Sequence, residues 1–303
     1  MRRWILAAGL APLLAGLPVA AQTDFDKVSI TTETLAPGVH VLFGSGGNIG
    51  VSTGADATVI IDDQFAPLTD KIVAAAAKLS PNPVKFVINT HWHGDHTGGN
   101  SNFGKAGAII VAQDNVRTRM ASDQFIAAMK STVKASPAIA LPVVTFDSTT
   151  TLFFNGEAIR AVHVPPAHTD GDSLVLFTKA NVIHMGDTFF AVGYPFVDLS
   201  SGGDVRGIVA AADKALALGN ATTRYIPGHG KVADRAGLAA YRAMVAGSIT
   251  AVEKAMTGGK PVEAVIAAKP TASWDAAWGN GFIKPDDWVR TIYASLRTSK
   301  PAS

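Results

Sequence analysis

Residues 90–99 read THWHGDHTGG. His91, His93 and His96 bring three imidazoles and Asp95 a carboxylate into six residues, a density of donors that suits metal ions. In extended backbone, residues i and i+2 point the same way, so the rings of His91 and His93 can reach one ion. Gly94 permits a sharp bend, which would turn Asp95 and His96 toward a second ion. Imidazole with carboxylate and no thiolate suits zinc, with iron and manganese as the alternatives. The chain has no cysteine, so thiolate ligands and disulfides are both excluded.

Two ions need further ligands from other strand ends. His168 in PPAHTDGDS, Asp187 in HMGDTFF and His229 in IPGHG each follow an apolar run and have glycine close by. The remaining histidines read as structural. His184 lies three residues before Asp187 and so faces the other side of a regular strand. His40 and His163 sit inside strand-like runs with no motif around them. Asp170 and Asp172 read as carboxylates that orient the His168 loop. Phe189, Phe190 and Tyr194 follow Asp187, and we assign them to the wall of a substrate pocket, against the alternative that they cap the core. Trp274, Trp278 and Trp288 read as packing residues.

The elements that must hold these groups follow from apolar periodicity. A strand over 39–43 precedes a hairpin within NIGVSTGADATVIIDD, turning at Gly54-Ala55-Asp56. An alanine-rich helix over 66–79 stops before Pro81. A strand over 84–89 delivers the histidine motif at its C-terminal end. A helix over 98–105, a strand over 109–111 and a mostly helical stretch over 114–138 follow. A second set of strands starts near Val143, with a hairpin at Asn155-Gly156 joining 151–154 to 158–164. Strands over 173–178, 182–185 and 224–226 alternate with helices over 204–218 and 233–256, and a last helix lies near 288–296. Strands then helix, twice over, predicts an α/β protein with two sheets face to face and helices outside.

Of the 303 residues, 48% are hydrophobic, enough for a full core. Arg2 and Arg3, an apolar run over 4–17, and Val19-Ala20-Ala21 before Gln22 have the layout of a cleavable leader over 1–21. The apolar run is short for a membrane span. A periplasmic or secreted location follows as an expectation, with one domain over 22–303 and no stable membrane span after cleavage. Setting aside Arg2 and Arg3 leaves 24 basic residues against 24 acidic ones. With no basic strip, nucleic acid is not expected as a partner, and a small-molecule substrate is.

The set THWHGDH, HTDGD, HMGD and PGHG, in this order and with VIIDD upstream, resembles the metallo-β-lactamase-fold superfamily over 38–230. The resemblance implies a four-layer αββα sandwich of two mixed β-sheets flanked by helices. It implies two zinc ions per chain, one held by His91, His93 and His168, the other by Asp95, His96 and His229, with Asp187 bridging and Asp62 structural. It also implies a metal-bound hydroxide that attacks a carbonyl while Asp95 orients it. The best-known lactamases of this fold carry cysteine at the bridging position and another subclass serine. Asp187 is instead similar to glyoxalase-II-like hydrolases, yet those are normally intracellular with a basic C-terminal region, whereas this chain has an export-like start and a nearly neutral tail. The expectation is an exported dinuclear zinc hydrolase, β-lactamase-like, acting on a β-lactam, lactone, ester or thioester. The alternatives are a mononuclear iron persulfide dioxygenase and a non-catalytic metal-binding maturation factor for a periplasmic redox system. A flavodiiron-type oxidoreductase fits less well, because that branch typically has an acidic residue where His93 stands.

Overall fold

The computed structural model describes residues 24–298. The expected leader over 1–21, with its cleavage point before Gln22, lies outside the described residues, as does the tail over 299–303.

Strands β1 (Thr31–Ala36), β2 (Val39–Phe43), β3 (Ile49–Ser52) and β4 (Thr58–Ile61) form an antiparallel meander. Helix α1 (Thr69–Ala77) then crosses over to β5 (Val84–Ile88), which pairs parallel with β4. The histidine motif follows β5 directly and runs into two short helices, α2 (Gly94–Thr97) and α3 (Asn100–Lys105). After β6 (Ile109–Gln113) and α4 (Asp114–Met120), the chain makes a two-stranded ribbon of β7 (Gln124–Ile126) and β8 (Ser131–Val133). Strand β9 (Val144–Phe146) pairs parallel with β6 and completes a seven-stranded sheet.

The second sheet repeats the plan. Strands β10 (Thr149–Phe154), β11 (Glu157–His163), β12 (Ser173–Phe177) and β13 (Val182–His184) are antiparallel. Helix α5 (Val205–Leu218) crosses to β14 (Arg224–Ile226), which pairs parallel with β13. Helices α6 (Arg235–Ala255), α7 (Val262–Ala267), α8 (Ala272–Trp278) and α9 (Pro285–Thr298) follow. The hairpin turn at Asn155 and Gly156 has φ of 59° and 69°, which asparagine and glycine tolerate best.

Strand alternation sorts side chains into layers. Val59, Ile61, Ile88 and Val111 face Ile159, Ala161, Val175 and Phe177 of the other sheet and form the middle layer. Ile60, Val87 and Ile110 point outward against Ile72 of α1 and Phe103 of α3. Leu174, Leu176 and Ile183 point outward against α5, α6 and α9, where Ile208, Ala211, Ala212 and Ala215 recur at helical spacing. The layers are helix, sheet, sheet, helix: an αββα sandwich with mixed sheets.

Two expectations are corrected. The stretch over 114–138 is helical only through Met120, because Lys130 takes a left-handed turn (φ 49°) and folds the rest into the β7–β8 ribbon. The strand near Val143 belongs to the first sheet as β9 and not to the second. Helices α7 and α8 were not anticipated from the sequence.

Candidate metal centre

Strands β4, β5, β13 and β14 are parallel to a neighbour, and their C-terminal ends meet at one edge of the sandwich. Asp62 follows β4, His91 to His96 follow β5, Asp187 follows β13 and His229 follows β14. His168 comes from the loop between β11 and β12. Backbone groups thus converge from four strand ends, and the side chains beyond them close on a common space.

The donor atoms of His91, His93 and His168 lie within 4.8 Å of one another, as do those of Asp95, His96 and His229. His91, His96 and Asp187 form a third group of the same tightness, which joins the first two. Asp187 Oδ1 is 3.0 Å from His96 Nε2, and its Oδ2 is 3.4 Å from His229 Nε2 and 3.7 Å from His168 Nε2. Asp95 Oδ2 is 3.2 Å from His229 Nε2. All seven residues expected as ligands therefore stand around one space.

The outer partners of the rings set their tautomers. The Thr90 hydroxyl donates to Asp62 Oδ2 at 2.7 Å, so its oxygen accepts from His91 Nδ1–H at 3.1 Å. That leaves His91 Nε2 as a bare lone pair, buried and without a partner. His168 Nδ1–H donates to the Phe196 carbonyl at 2.7 Å. His93 Nε2–H donates to Asp198 Oδ2 at 3.1 Å. The inward atoms, His93 Nδ1 and His168 Nε2, then face each other at 2.8 Å. Three imidazole nitrogens turned to one space, with His91 Nε2 left without a partner, are a donor set that fits a metal ion. His96 Nδ1 lies 2.7 Å from Asp62 Oδ2, which likewise turns its Nε2 inward. Ring orientation through outer hydrogen bonds is the usual design of histidine metal sites.

Backbone strain and close packing hold this arrangement. Asp62 has φ 64°, and its Oδ1 accepts from the Thr90 N–H at 2.7 Å. A Cβ at Gly228 would fall on Asp187 Oδ1, and one at Gly47 would fall inside the His96 ring. The bend after His93 does not need glycine conformationally. His93 is extended (φ −63°, ψ 147°), and α2 begins at Gly94 with ordinary helical backbone. Gly94 instead leaves open space, since a Cβ there would meet nothing within 4 Å.

The other expected roles sort as follows. His184 Nε2–H donates to the Asn48 carbonyl at 2.9 Å, and Asn48 in turn donates to the carbonyls of Pro227 and Gly230 at 2.8 Å. It braces the His229 loop. Asp172 accepts from the N–H groups of His168 and Thr169 and from the Thr169 hydroxyl, so it orients the His168 loop. Burial pushes the Asp172 carboxyl up, against those hydrogen bonds, to about 7. Asp170 forms a bidentate pair with Arg119 of α4.

An open cavity of about 450 Å³ lies above the cluster, with His93, Asp95, Asp187 and His229 in its lining. Phe190 lines it, but the assignment of Phe189 and Tyr194 to its wall is corrected. Phe189 is buried against Tyr241 with ring centroids 4.9 Å apart. Tyr194 is fully buried, stacks on Trp288 at 5.7 Å and donates its hydroxyl to Asp275 at 2.7 Å. The reading missed Asp198, which lies 105 residues from the histidine it orients. It also missed Phe65, Phe196 and Phe282 in the cavity wall.

Comparison with known proteins agrees with this geometry. Residues 42–234 match the model of the metallo-beta-lactamase superfamily. A hydroxyacylglutathione hydrolase of Nitrosococcus oceani is 32% identical over 178 residues, 56% of this chain and 58% of that protein. The chain thus spans little more than half the length of that curated relative. Among solved structures, a metallo-beta-lactamase from Pontibacter korlensis has a TM-score of 0.58 at 17% identity, covering 72% of this chain and 99% of that one. The sec-alkylsulfatase Pisa1 from Pseudomonas sp. has a TM-score of 0.67 at 13% identity, covering 90% of this chain and 52% of that one. At these identities the structural likeness is one of fold. With a family match over more than half of its length, the chain belongs to the metallo-β-lactamase superfamily.

Proposed function

We propose that this chain is an exported, single-domain dinuclear zinc hydrolase that cleaves an acyl bond in a small molecule: an ester, thioester, lactone or β-lactam. The observation that carries the reading is the facing pair His93 Nδ1 and His168 Nε2, with the orphaned His91 Nε2 beside them. His91, His93 and His168 would hold one zinc, Asp95, His96 and His229 the other, and Asp187 would lie between them. When bound, two zinc ions supply water with a pKa near 7 and an electrophile for a carbonyl oxygen.

The chain's own residues supply the rest. Asp95 is 27% exposed at the cavity floor, so its carboxylate can take a proton from the attacking water and return it to the leaving group. Burial raises the Asp95 carboxyl, but the charge of His96 and the hydrogen bond from His229 outweigh it and hold the carboxyl at about 2. It is ionised at neutral pH. Water adds to the acyl carbon, the carbon–heteroatom bond breaks, the leaving alcohol, thiol or amine takes the proton that Asp95 carried, and water's other proton leaves with the acid product.

Export is supported by Arg2, Arg3, the apolar run and Val19-Ala20-Ala21. No helix among the described residues is long and apolar enough to cross a membrane.

The test is elemental analysis with a hydrolysis panel of esters, lactones, thioesters and β-lactams. About two zinc ions per chain with turnover is the expected result. One iron and no zinc would move the reading to a persulfide dioxygenase, and metal without turnover to a maturation factor. N-terminal sequencing of envelope protein should give Gln22; a species starting at Met1 in the cytoplasm would refute export.

A further inference from the structure

The cavity above the metal centre has a polar floor and an apolar wall. The wall comes from four separate parts of the chain. Phe65 precedes α1, and Ile126, Met129 and Val133 come from the β7–β8 ribbon. Phe190 and Phe196 follow β13, and Phe282 comes from the turn between α8 and α9. Phe196 lies 5.8 Å from the His93 ring and 6.4 Å from Phe282, so apolar surface runs from the ligands to the rim. At the rim, Met129 is 47% exposed and Phe282 65%. Large apolar side chains held out at a cavity mouth cost solvation and mark a binding surface.

The charges are arranged in the opposite sense. Among the described residues lining this cavity there is no lysine or arginine, and the charged side chains are the candidate ligands themselves. Two cations of the neighbouring segment are committed elsewhere, while Lys130, exposed at the turn of the ribbon, does not line the cavity. Arg119 is tied to Asp170 at 2.6 and 2.9 Å and to Gln124 at 3.1 Å. Lys134 pairs with Asp123 at 2.7 Å. A substrate bearing a carboxylate away from its scissile carbonyl would set that charge against phenylalanine rings, an uncompensated desolvation.

Resting on the hydrolase reading above, we propose that the site selects acyl substrates whose acyl group is uncharged and apolar, and discriminates against those with an anionic group remote from the scissile bond. The wall holds the acyl chain while the floor holds the carbonyl. Phe282 and Met129 are specificity-determining positions at the rim.

The experiment measures kcat/KM of the zinc-loaded protein on 4-nitrophenyl acetate, butyrate and hexanoate, and on the adipate monoester, which ends in a carboxylate. Burial of each added methylene should raise kcat/KM about two- to fourfold. Hexanoate should therefore exceed acetate by at least about tenfold, and adipate should fall below hexanoate by a similar factor. Phe282→Asp and Met129→Asp, both at exposed positions, should lower hexanoate more than acetate and flatten the series. A second readout uses no turnover: saturation-transfer NMR with 2-octanone, whose alkyl end should contact the wild type and lose contact in Phe282→Asp.

A rising series that both variants flatten supports the proposal. A flat series, or adipate hydrolysed as well as hexanoate, overturns it and leaves the hydrolase reading standing. A slope that neither variant alters overturns the assignment of the rim. Octanone binding through its alkyl end without hydrolysis of any ester supports the apolar cavity and refutes the hydrolase reading instead.

Discussion

The two halves of the candidate metal centre differ in burial and in charge. His91, His93 and His168 are 1%, 6% and 0% exposed and include no carboxylate. In the other half, Asp95 and His229 have side chains 27% and 21% exposed, and Asp187 adds a second carboxylate. The protons follow. Burial and the charge of His96 hold the His91 ring well below the ordinary histidine range. Burial likewise lowers His168 to about 4, against the opposing pull of Asp187. Burial lowers His96 and His229 too, but Asp187 and then Asp95 overcome it; His96 ends well above the ordinary range and His229 at about 9. In the first half His91 and His168 thus hold bare lone pairs ready for a cation, while the other half keeps its carboxylates neutralised by protons that a cation would replace.

The largest expected effect comes from the buried half. Removing an outer partner of a metal ligand costs about 10- to 100-fold in affinity or activity, and losing the ligand itself must cost more. His91→Ala should therefore lower hydrolysis by more than about a hundredfold, with zinc content falling toward one per chain. Full activity and two zinc ions in the variant would remove His91 from the centre.

Next in size is a difference in acid sensitivity. A ligand protonated below about 9 must release that proton when metal binds, so affinity at the Asp95, His96 and His229 half should rise with pH up to that value. Between pH 8 and pH 6 it should weaken about tenfold per pH unit for each displaced proton. In the other half, His168 carries no proton above about 4, so it contributes no such penalty over the same interval. Chelator titration should find two zinc ions at pH 8 and one firmly held at pH 6. Equal loss of both would erase the contrast between the halves.

A smaller effect tests the joint between them. Gly228→Ala places a methyl group on Asp187 Oδ1. Overpacking of this kind costs about 1–3 kcal/mol, so thermal melting should drop and the second zinc should bind less tightly. An unaltered melting temperature with two zinc ions retained would show that the Asp187 loop moves freely.

Ligand positions were legible because each sits just past an apolar strand with glycine near it, a local pattern. Asp62 was legible only through the resemblance of VIIDD to the family, and Asp172 through its place in the loop of His168. Asp198 was not, since its partner His93 is joined to it only by the fold, and its local sequence shows nothing beyond a cap for the short turn over Leu199–Ser201. The β7–β8 ribbon was misread because Ala127, Ala128 and Met129 have high helix propensity, while its strands are only three residues each. Pairing across the Lys130 turn overrides that propensity. Tyr194 was misassigned because proximity in sequence to Asp187 says nothing of direction: the chain turns it inward to Asp275 and Trp288. The apolar wall had no signature, being gathered from four segments.

The smallest effect concerns the group that belongs to both halves. Asp187 reaches His96 with one oxygen and His229 and His168 with the other. With two ions bound, its carboxylate would add negative charge between them and so reduce their pull on a carbonyl. It also fills space that a leaving nitrogen and a substrate carboxylate would need. Weak, broad activity is expected in the wild type, with esters, lactones or thioesters hydrolysed at least as well as β-lactams. Asp187→Ser should lower affinity for one zinc. At saturating zinc it should cut ester turnover about tenfold and β-lactam turnover only about threefold, a differential of about 0.7 kcal/mol in barrier height. A serine there resembles the lactamase subclass that carries one, which is why the β-lactam loss should be the smaller. Parallel zinc titrations and rate measurements on both proteins decide the point. Efficient β-lactam hydrolysis with no ester turnover in the wild type, or a variant with metal content and both rates unchanged, would mean that Asp187 does not join the two halves.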